Sequence, residues 1–268
     1  MIELEFIRSG DERYLGILRE HYPVKLRREE QGVETKPGNY GQALHFIVLA
    51  DGRDVGIISA GAAVYTTPAR DAFFKLPPRA AAKTAENYRR SNFVQSIVDN
   101  VQFHMVPGHG ISSSDVLALW RDTCEHLWPR FYGVRVIGFE TFVWGINPET
   151  GLPRDGYIYR RDRWKKVGET KGKAKQHIRG DGGAGMEVSR THRDTEVKIV
   201  FCRWASPEIR AAVERGELPD VYHATWGTSK KTKNGEPYLD ADEIERRKAL
   251  KKERTGQRDA FYGRRFRG

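Results

Sequence analysis

The chain has 268 residues, a formal net charge of +10 and a charged fraction of 31%. That length supports one large domain with an appendage, or two modest ones, around a core that needs no disulfide or metal staple. Its two cysteines, Cys124 and Cys202, read as buried free thiols of a reducing compartment, no run approaches the roughly 18 apolar residues of a membrane helix, and the basic balance points to an anionic partner, above all nucleic acid.

The N-terminal MIELEFIRSGDERY has no apolar core of signal-peptide length. The protein is therefore expected to be soluble and cytoplasmic in a bacterial host cell, with no membrane partner. MIELEFI alternates apolar and polar residues and predicts a first strand. GDERYLGILREHYPVKL predicts a short helix that stops near Pro23, and the polar, glycine-bearing residues 27–41 predict a loop. ALHFIVLADGRDVGIISAGAAVY places two Ile- and Val-rich runs around Ala50-Asp51-Gly52-Arg53, and Asp-Gly between such runs is a hairpin signal.

Residues 77–100 combine an alanine-rich, partly helical stretch with a short loop, after which VQFHMV predicts a strand. SSDVLALWRDTCEHLW predicts a helix capped at Ser114-Asp115. A strand over VRVIGFETFVW, a loop over NPETGLPRDG and a basic stretch, YIYRRDRWKKVGETKGK, follow in order. TEVKIVFCRW predicts a late strand, and SPEIRAAVERGEL a helix with Ser206 as its cap. From residue 228 aliphatic residues become sparse and charges dense. A basic, partly disordered tail is expected over 228–268, with one helix near 241–254.

Four features carry chemistry. Pro107-Gly108-His109-Gly110 joins a strand to a helix start, a turn whose backbone amides can meet a phosphate. His21 beside Tyr22 sits just past a helix end and is suited to proton transfer. Glu140 lies in an otherwise apolar strand, which demands a partner such as Arg135 or a raised pKa; Asp71 and Asn100 have similar standing. Arg160, Arg163, Trp164, Lys165, Lys166 and Lys171 interleave cations with an indole, as a backbone-gripping, base-stacking surface does. No His, Asp or Glu spacing matches a standard metal site, and a requirement for metal, iron included, is left open.

The order hairpin, strand, glycine-bearing loop, helix, strand and tyrosine segment resembles the GNAT acyltransferase fold. The resemblance implies that the loop over 106–113, with Val106, Gly108, Gly110, Ile111, Ser112 and Ser113, binds the phosphates of an acyl-CoA-type donor. It also implies that the strand VRVIGFETF splays from its neighbour, and that Tyr157 or Tyr159 gives a proton to the departing thiolate. His109 and Ser112 stand where that family has an arginine- or glutamine-led, glycine-rich loop.

HYP, FIVLADGRDVGIISAGAAVY, ARDAFF, IVDNVQF, FETFV and GYIYRRDRWKKVGETKG occur in that order. Over about residues 14–178 they are similar to the phage Mom DNA-modification proteins and to the domain of the Druantia anti-phage protein DruA. The resemblance places the family's histidine on His21, its tyrosines on Tyr40 and Tyr159, and its acidic residue on Glu140, where Mom has an aspartate and a shorter loop follows. The expected protein is an α+β, GNAT-like, mostly antiparallel sheet flanked by helices over 1–227, with the tail beyond it. Its expected activity is transfer of a small acyl-type group to a DNA base, the adenine N6 amine above all, in a phage or mobile element that thereby evades restriction. His21 or Glu140 would be the base and Tyr159 the proton donor or orienting group. The alternative is a non-catalytic DNA-binding subunit of an anti-phage defence system.

Overall fold

The computed structural model describes residues 1–8, 10–21, 42–63, 67–76, 93–146, 151–170, 173–178, 189–194, 197–217 and 241–268. The first half comprises β1 (Ile2–Ile7), α1 (Glu12–His21), β2 (Ala43–Ala50), β3 (Arg53–Ala62), α2 (Pro68–Phe73), β4 (Ile97–Met105) and α3 (Ser113–Tyr132). The second comprises β5 (Gly138–Trp144), α4 (Tyr157–Arg161), β6 (Lys165–Glu169), β7 (Lys173–Ile178), β8 (Ser189–Asp194), β9 (Lys198–Trp204), α5 (Pro207–Glu214), α6 (Ala241–Phe261) and β10 (Arg265–Arg267).

Eight strands form one sheet in the order β10-β1-β2-β3-β4-β5-β9-β6, and β7 pairs with β8 in a separate ribbon. Every neighbouring pair is antiparallel except β4 and β5. A parallel pair needs a crossover, and α3 is that crossover. The fold is thus α+β with a mostly antiparallel sheet flanked by helices, as expected.

The β2–β3 hairpin turns at Asp51 and Gly52, with φ of 49° and 78°. Two successive left-handed residues match the twist of the flanking strands. α3 buries Val116, Leu117, Trp120, Cys124, Leu127, Trp128 and Phe131, spaced by three and four residues so that they form one stripe. That stripe packs on Leu4, Phe6, Phe46, Ile58, Val98, Phe139 and Phe201. The opposite face of the sheet is covered by α1 over Ile47, Leu49 and Ile57 and by the segment around Phe74 over Ile97, Ile137 and Val200. Cys124 and Cys202 are buried free thiols.

Several boundaries differ from expectation. β4 begins at Ile97, not Val101, because Asp99 and Asn100 find partners inside the sheet. Ser112, not Ser114, is the N-cap of α3, and its hydroxyl lies 2.8 Å from that of Ser114 instead of capping an amide. Within the basic stretch, for which the sequence pattern predicts no element, α4 and β6 follow one another. Ser206 caps α5 as expected, its Oγ accepting from the Ile209 amide at 3.2 Å. The tail also needs correction, since α6 runs to Phe261 and β10 pairs with β1 through Glu3↔Arg267, Leu4↔Phe266 and Glu5↔Arg265. Phe261 is buried against Phe131, 5.6 Å between ring centroids; aromatic residues supply the burial that aliphatic content alone did not suggest. Among the described residues, no helix is long and apolar enough to cross a membrane.

Candidate active site at the β4–β5 fork

β4 and β5 pair at Ile97↔Gly138, Val98↔Phe139 and Asp99↔Glu140. Beyond these, residues 100–105 of β4 and 141–144 of β5 diverge, and β5 turns its other edge to β9. At the apex of this fork the Thr141 hydroxyl donates to the Asn100 carbonyl at 3.0 Å. Tyr159 reaches the same residue from α4, its hydroxyl donating to Asn100 Oδ1 at 2.8 Å. The Asn100 carboxamide is fixed in turn, Nδ2 donating to the Ser59 and Gln102 carbonyls at 3.3 and 3.4 Å.

α4 holds Tyr159 there through its surroundings. Gly156, the N-cap, has φ of 67°, and a Cβ at that position would sit 2.4 Å from the Phe201 ring. The Tyr159 ring stacks on Phe201 at 5.8 Å and meets Trp164 edge-on at 5.2 Å. Below it, Asp162 accepts from Arg121 Nε and Nη2, both at 2.8 Å, and from the Trp164 indole N–H at 2.8 Å. Arg203 adds a further contact at 3.1 Å. A buried, bidentate arginine–carboxylate pair fixes geometry as well as energy. Asp162 therefore fastens α4 to α3 and β9.

The other face of the fork is charged. Arg70, fully buried on α2, donates from Nη1 to Glu140 Oε1 at 2.9 Å and from Nε to Asp71 Oδ1 at 2.7 Å. Asp99 lies beside Glu140 in register. Burial first, and the Glu140 charge second, push its carboxyl well above the usual carboxylate range, while Arg70 and Lys198 pull it back. Burial and Glu140 push the Cys202 thiol up as well.

Side chains alternate along a strand. Phe139 belongs to the core beneath α3 and Cys202 to the core beneath α2, so Glu140 and Tyr159 occupy opposite faces. The structure does not bring them together.

A bulge in β4 reverses this alternation. Ala60 faces Asn100 and Ser59 faces Gln102, leaving Val101 unopposed. Past it, Gln102 lies on the α1 side, where the Tyr14 hydroxyl donates to Gln102 Oε1 at 2.6 Å and lies 2.7 Å from Ser59 Oγ. His45 Nδ1 is 3.0 Å from the same Oγ. Gln102 Nε2 is buried without a hydrogen-bond partner among the described residues.

The loop over 106–112 leaves β4 and enters α3. Gly108 and Gly110 have φ of 76° and 73°, and a Cβ on either would meet nothing within 4 Å. His109 Nδ1 accepts from the Ile111 amide at 3.1 Å. The Ser113 and Ser114 amides open the helix with no acceptor among the described residues, which leaves donors for a phosphate.

The expected DNA-gripping residues separate into two kinds. Arg160, Arg163, Lys165 and Lys166 are exposed; Arg160 pairs with Asp155, and Lys166 with Glu169 at 2.7 Å. Trp164 is 3% exposed, because Arg163, at φ 63°, turns the chain inward. It is a core residue and offers no face to a base. Tyr157 is exposed, which leaves Tyr159 as the tyrosine of the fork. His21 ends α1, with its side chain outside the described ones; Tyr40 and Lys171 lie outside the described residues. No group of three or more metal-capable side chains occurs among the described residues.

Sequence reasoning missed Arg70, Arg121, Asp162, Thr141 and the Tyr14–Ser59–Gln102 group. Only Asp162 had a local signal, as the one acid within YRRDRWKK.

No protein-family model matches the chain, and none of the curated proteins does. Solved structures do match. A Bacillus subtilis acetyltransferase in complex with CoA is 8% identical, over 75% of this chain and 97% of that one, with a TM-score of 0.40. RimL, a ribosomal L7/L12 alpha-N-protein acetyltransferase, is 11% identical over 76% and 93%, with a TM-score of 0.38. An agmatine N-acetyltransferase mutant is 12% identical over 76% and 100%, with a TM-score of 0.39. These likenesses are remote, and the fold class rests on the strand order itself.

Proposed function

We propose that the chain is an acyl-type transferase whose acceptor is an amine on a DNA base, the adenine N6 amine above all, in a phage or mobile element that evades restriction. The observation that carries the reading is the fork: two parallel strands that part at Asn100 and Thr141, with the Tyr159 hydroxyl directed to the point of parting. The donor, an acyl-CoA-type thioester, supplies an activated carbonyl and a thiolate leaving group. The loop over 106–112 and the first amides of α3 fit its phosphates, since the glycine side of the loop is open and the amides face no internal acceptor.

Tyr159 gives its hydroxyl proton to the departing sulfur as the carbon–sulfur bond breaks and the carbon–nitrogen bond forms. The adenine amine is a weak nucleophile because its lone pair is delocalised into the ring, so its proton must leave as attack proceeds. His21 takes that proton in this reading, because Glu140 is committed to its buried ion pair with Arg70. The base must leave its stack to reach the fork, while Arg160, Arg163, Lys165 and Lys166 on α4 and β6 hold the phosphate backbone. With Trp164 buried, stacking is no part of their role.

Mass spectrometry of nucleosides from DNA of cells expressing the protein tests this function. The expected result is a new adenosine adduct, lowered roughly a hundredfold with Tyr159→Phe and lost with His21→Ala. Unmodified nucleosides with the unaltered protein, together with tight DNA binding, would replace this function by that of a binding subunit.

A further inference from the structure

At the β1–β10 edge, far along the sheet from α4 and β6, four arginines surround two neighbouring rings. Arg130 and Arg264 lie 5.5 and 4.6 Å from the Phe261 centroid. Arg8 and Arg258 lie 4.6 and 5.6 Å from that of Tyr262. The rings are anchored from beneath: Tyr262 stacks on Phe6 at 4.9 Å and 5°, and Phe261 meets Phe131 edge-on. Arg258 Nε also donates to the Tyr262 hydroxyl at 2.6 Å.

Carboxylates neutralise little of this charge. Arg8 is 3.7 Å from Asp259, while Arg130 and Arg264 meet no carboxylate among the described residues. The arginines next in sequence are different: Arg265 and Arg267 lie 3.4 and 3.6 Å from Glu5 and Glu3. Like charges gathered without counter-charge repel one another, and an external anion relieves that repulsion. A guanidinium held close to a ring still has N–H groups to offer a phosphate, although on Arg258 the Nε–H is taken by the Tyr262 hydroxyl.

We infer that Arg8, Arg130, Arg258 and Arg264, held on Phe261 and Tyr262, form a second contact for the phosphate backbone of duplex DNA. Its recruits come from the residue just past β1, from α3 and from the C-terminal segment alike, so it is a folded surface and not a charged tail. The inference rests on DNA being the substrate, and it adds a grip at the sheet edge opposite to the one beside the fork. Substrate DNA is then fixed at two separated places, and the fork acts on a base presented between them.

Anisotropy titrations of a labelled duplex between 50 and 200 mM NaCl test it with the full chain. Two lost phosphate contacts flatten the slope of log affinity against log salt by about two. R130Q/R264Q is expected to show that flattening, whereas R265Q/R267Q, whose charges Glu5 and Glu3 already match, is expected to change the slope much less. An unchanged slope in R130Q/R264Q overturns the surface. So does equal flattening in both variants, which marks diffuse attraction by net charge, or a loss confined to phosphatidylserine vesicles, which marks a membrane contact. R130K/R264K keeps the charge but not the planar fork; weaker binding at an unchanged slope supports the stacked geometry should the glutamine variants fail to fold. Nucleoside mass spectrometry on the same proteins separates the two readings, since a flattened slope without any adduct removes the transfer chemistry and leaves the surface standing.

Discussion

Asp99 and Glu140 face one way from the fork, and Asn100 and Thr141, their immediate neighbours, face the other. The first pair is sealed, with Glu140 ion-paired to a fully buried arginine and the Asp99 carboxyl beside it held well above the usual carboxylate range by burial and the Glu140 charge. The second is neutral, hydrogen-bonded, and joined by a tyrosine hydroxyl. Buried ions need complete pairing and resist displacement, so the charged side is suited to holding the two strands together where they still touch. A hydroxyl on a carboxamide can exchange partners at little cost, which suits the side where a substrate must be met. Carboxylates attract attention in an apolar strand, yet here Glu140 is part of the fastening, and the proposed function places the working edge on the neutral groups.

The largest expected effect falls on the charged fastening. Arg70→Met strands Glu140 without its cation, and an unpaired buried charge costs about 3–5 kcal/mol. Urea denaturation is expected to show a loss of that size; a loss below 1 kcal/mol means the charged face holds nothing. Asp162→Ala tests the one charged fastening on the tyrosine side. It leaves Arg121 and the Trp164 indole unpartnered, for an expected loss of about 2–4 kcal/mol and a red shift of tryptophan emission.

Asp99→Asn reads the charged face through pH. Because the folded-state pKa of Asp99 is raised, the native state holds a proton that the unfolded state releases above its own pKa near 3.9. Stability therefore falls as pH rises from that value to the folded-state pKa, by up to about 1.4 kcal/mol per pH unit. The asparagine carries no such proton, so melts between pH 4 and 8 are expected to show the variant gaining on the native protein as pH rises. Parallel curves contradict a raised Asp99. Smallest in stability is Tyr159→Phe, expected to cost about 1 kcal/mol for one hydrogen bond while lowering adduct formation roughly a hundredfold. A large loss of stability with adduct formation intact reverses the roles of the two faces.

Much of the frame is readable in the sequence because its signals are local. The Asp51-Gly52 turn, the stripe of α3 and the Ser206 cap each depend on residues within a few positions. The fork is less so. Glu140 announces a need for a partner but not which one, and Arg70 lies 70 residues away while nearby Arg135 looked suitable. Trp164 within a basic run resembles a stacking surface until the left-handed Arg163 is known to turn it inward. The bulge at Val101 decides which face Asn100 and Gln102 serve, and nothing in VDNVQF marks it. Strand alternation assigns faces only once the register is known.

Residues 3–5 pair with residues 265–267, a separation that spans almost the whole chain. While the polypeptide is being made, the outer edge of β1 waits for residues 265–267 to emerge, and an open edge invites a strand from another molecule. Glu3 and Glu5 stand on that edge, and their like charge repels a second copy of β1 laid against it. Arg13 meets Glu5 at 2.7 Å from eight residues away, and Arg265 and Arg267 complete the neutralisation when they arrive. The same four side chains that tie down the finished sheet thus discourage its premature partners.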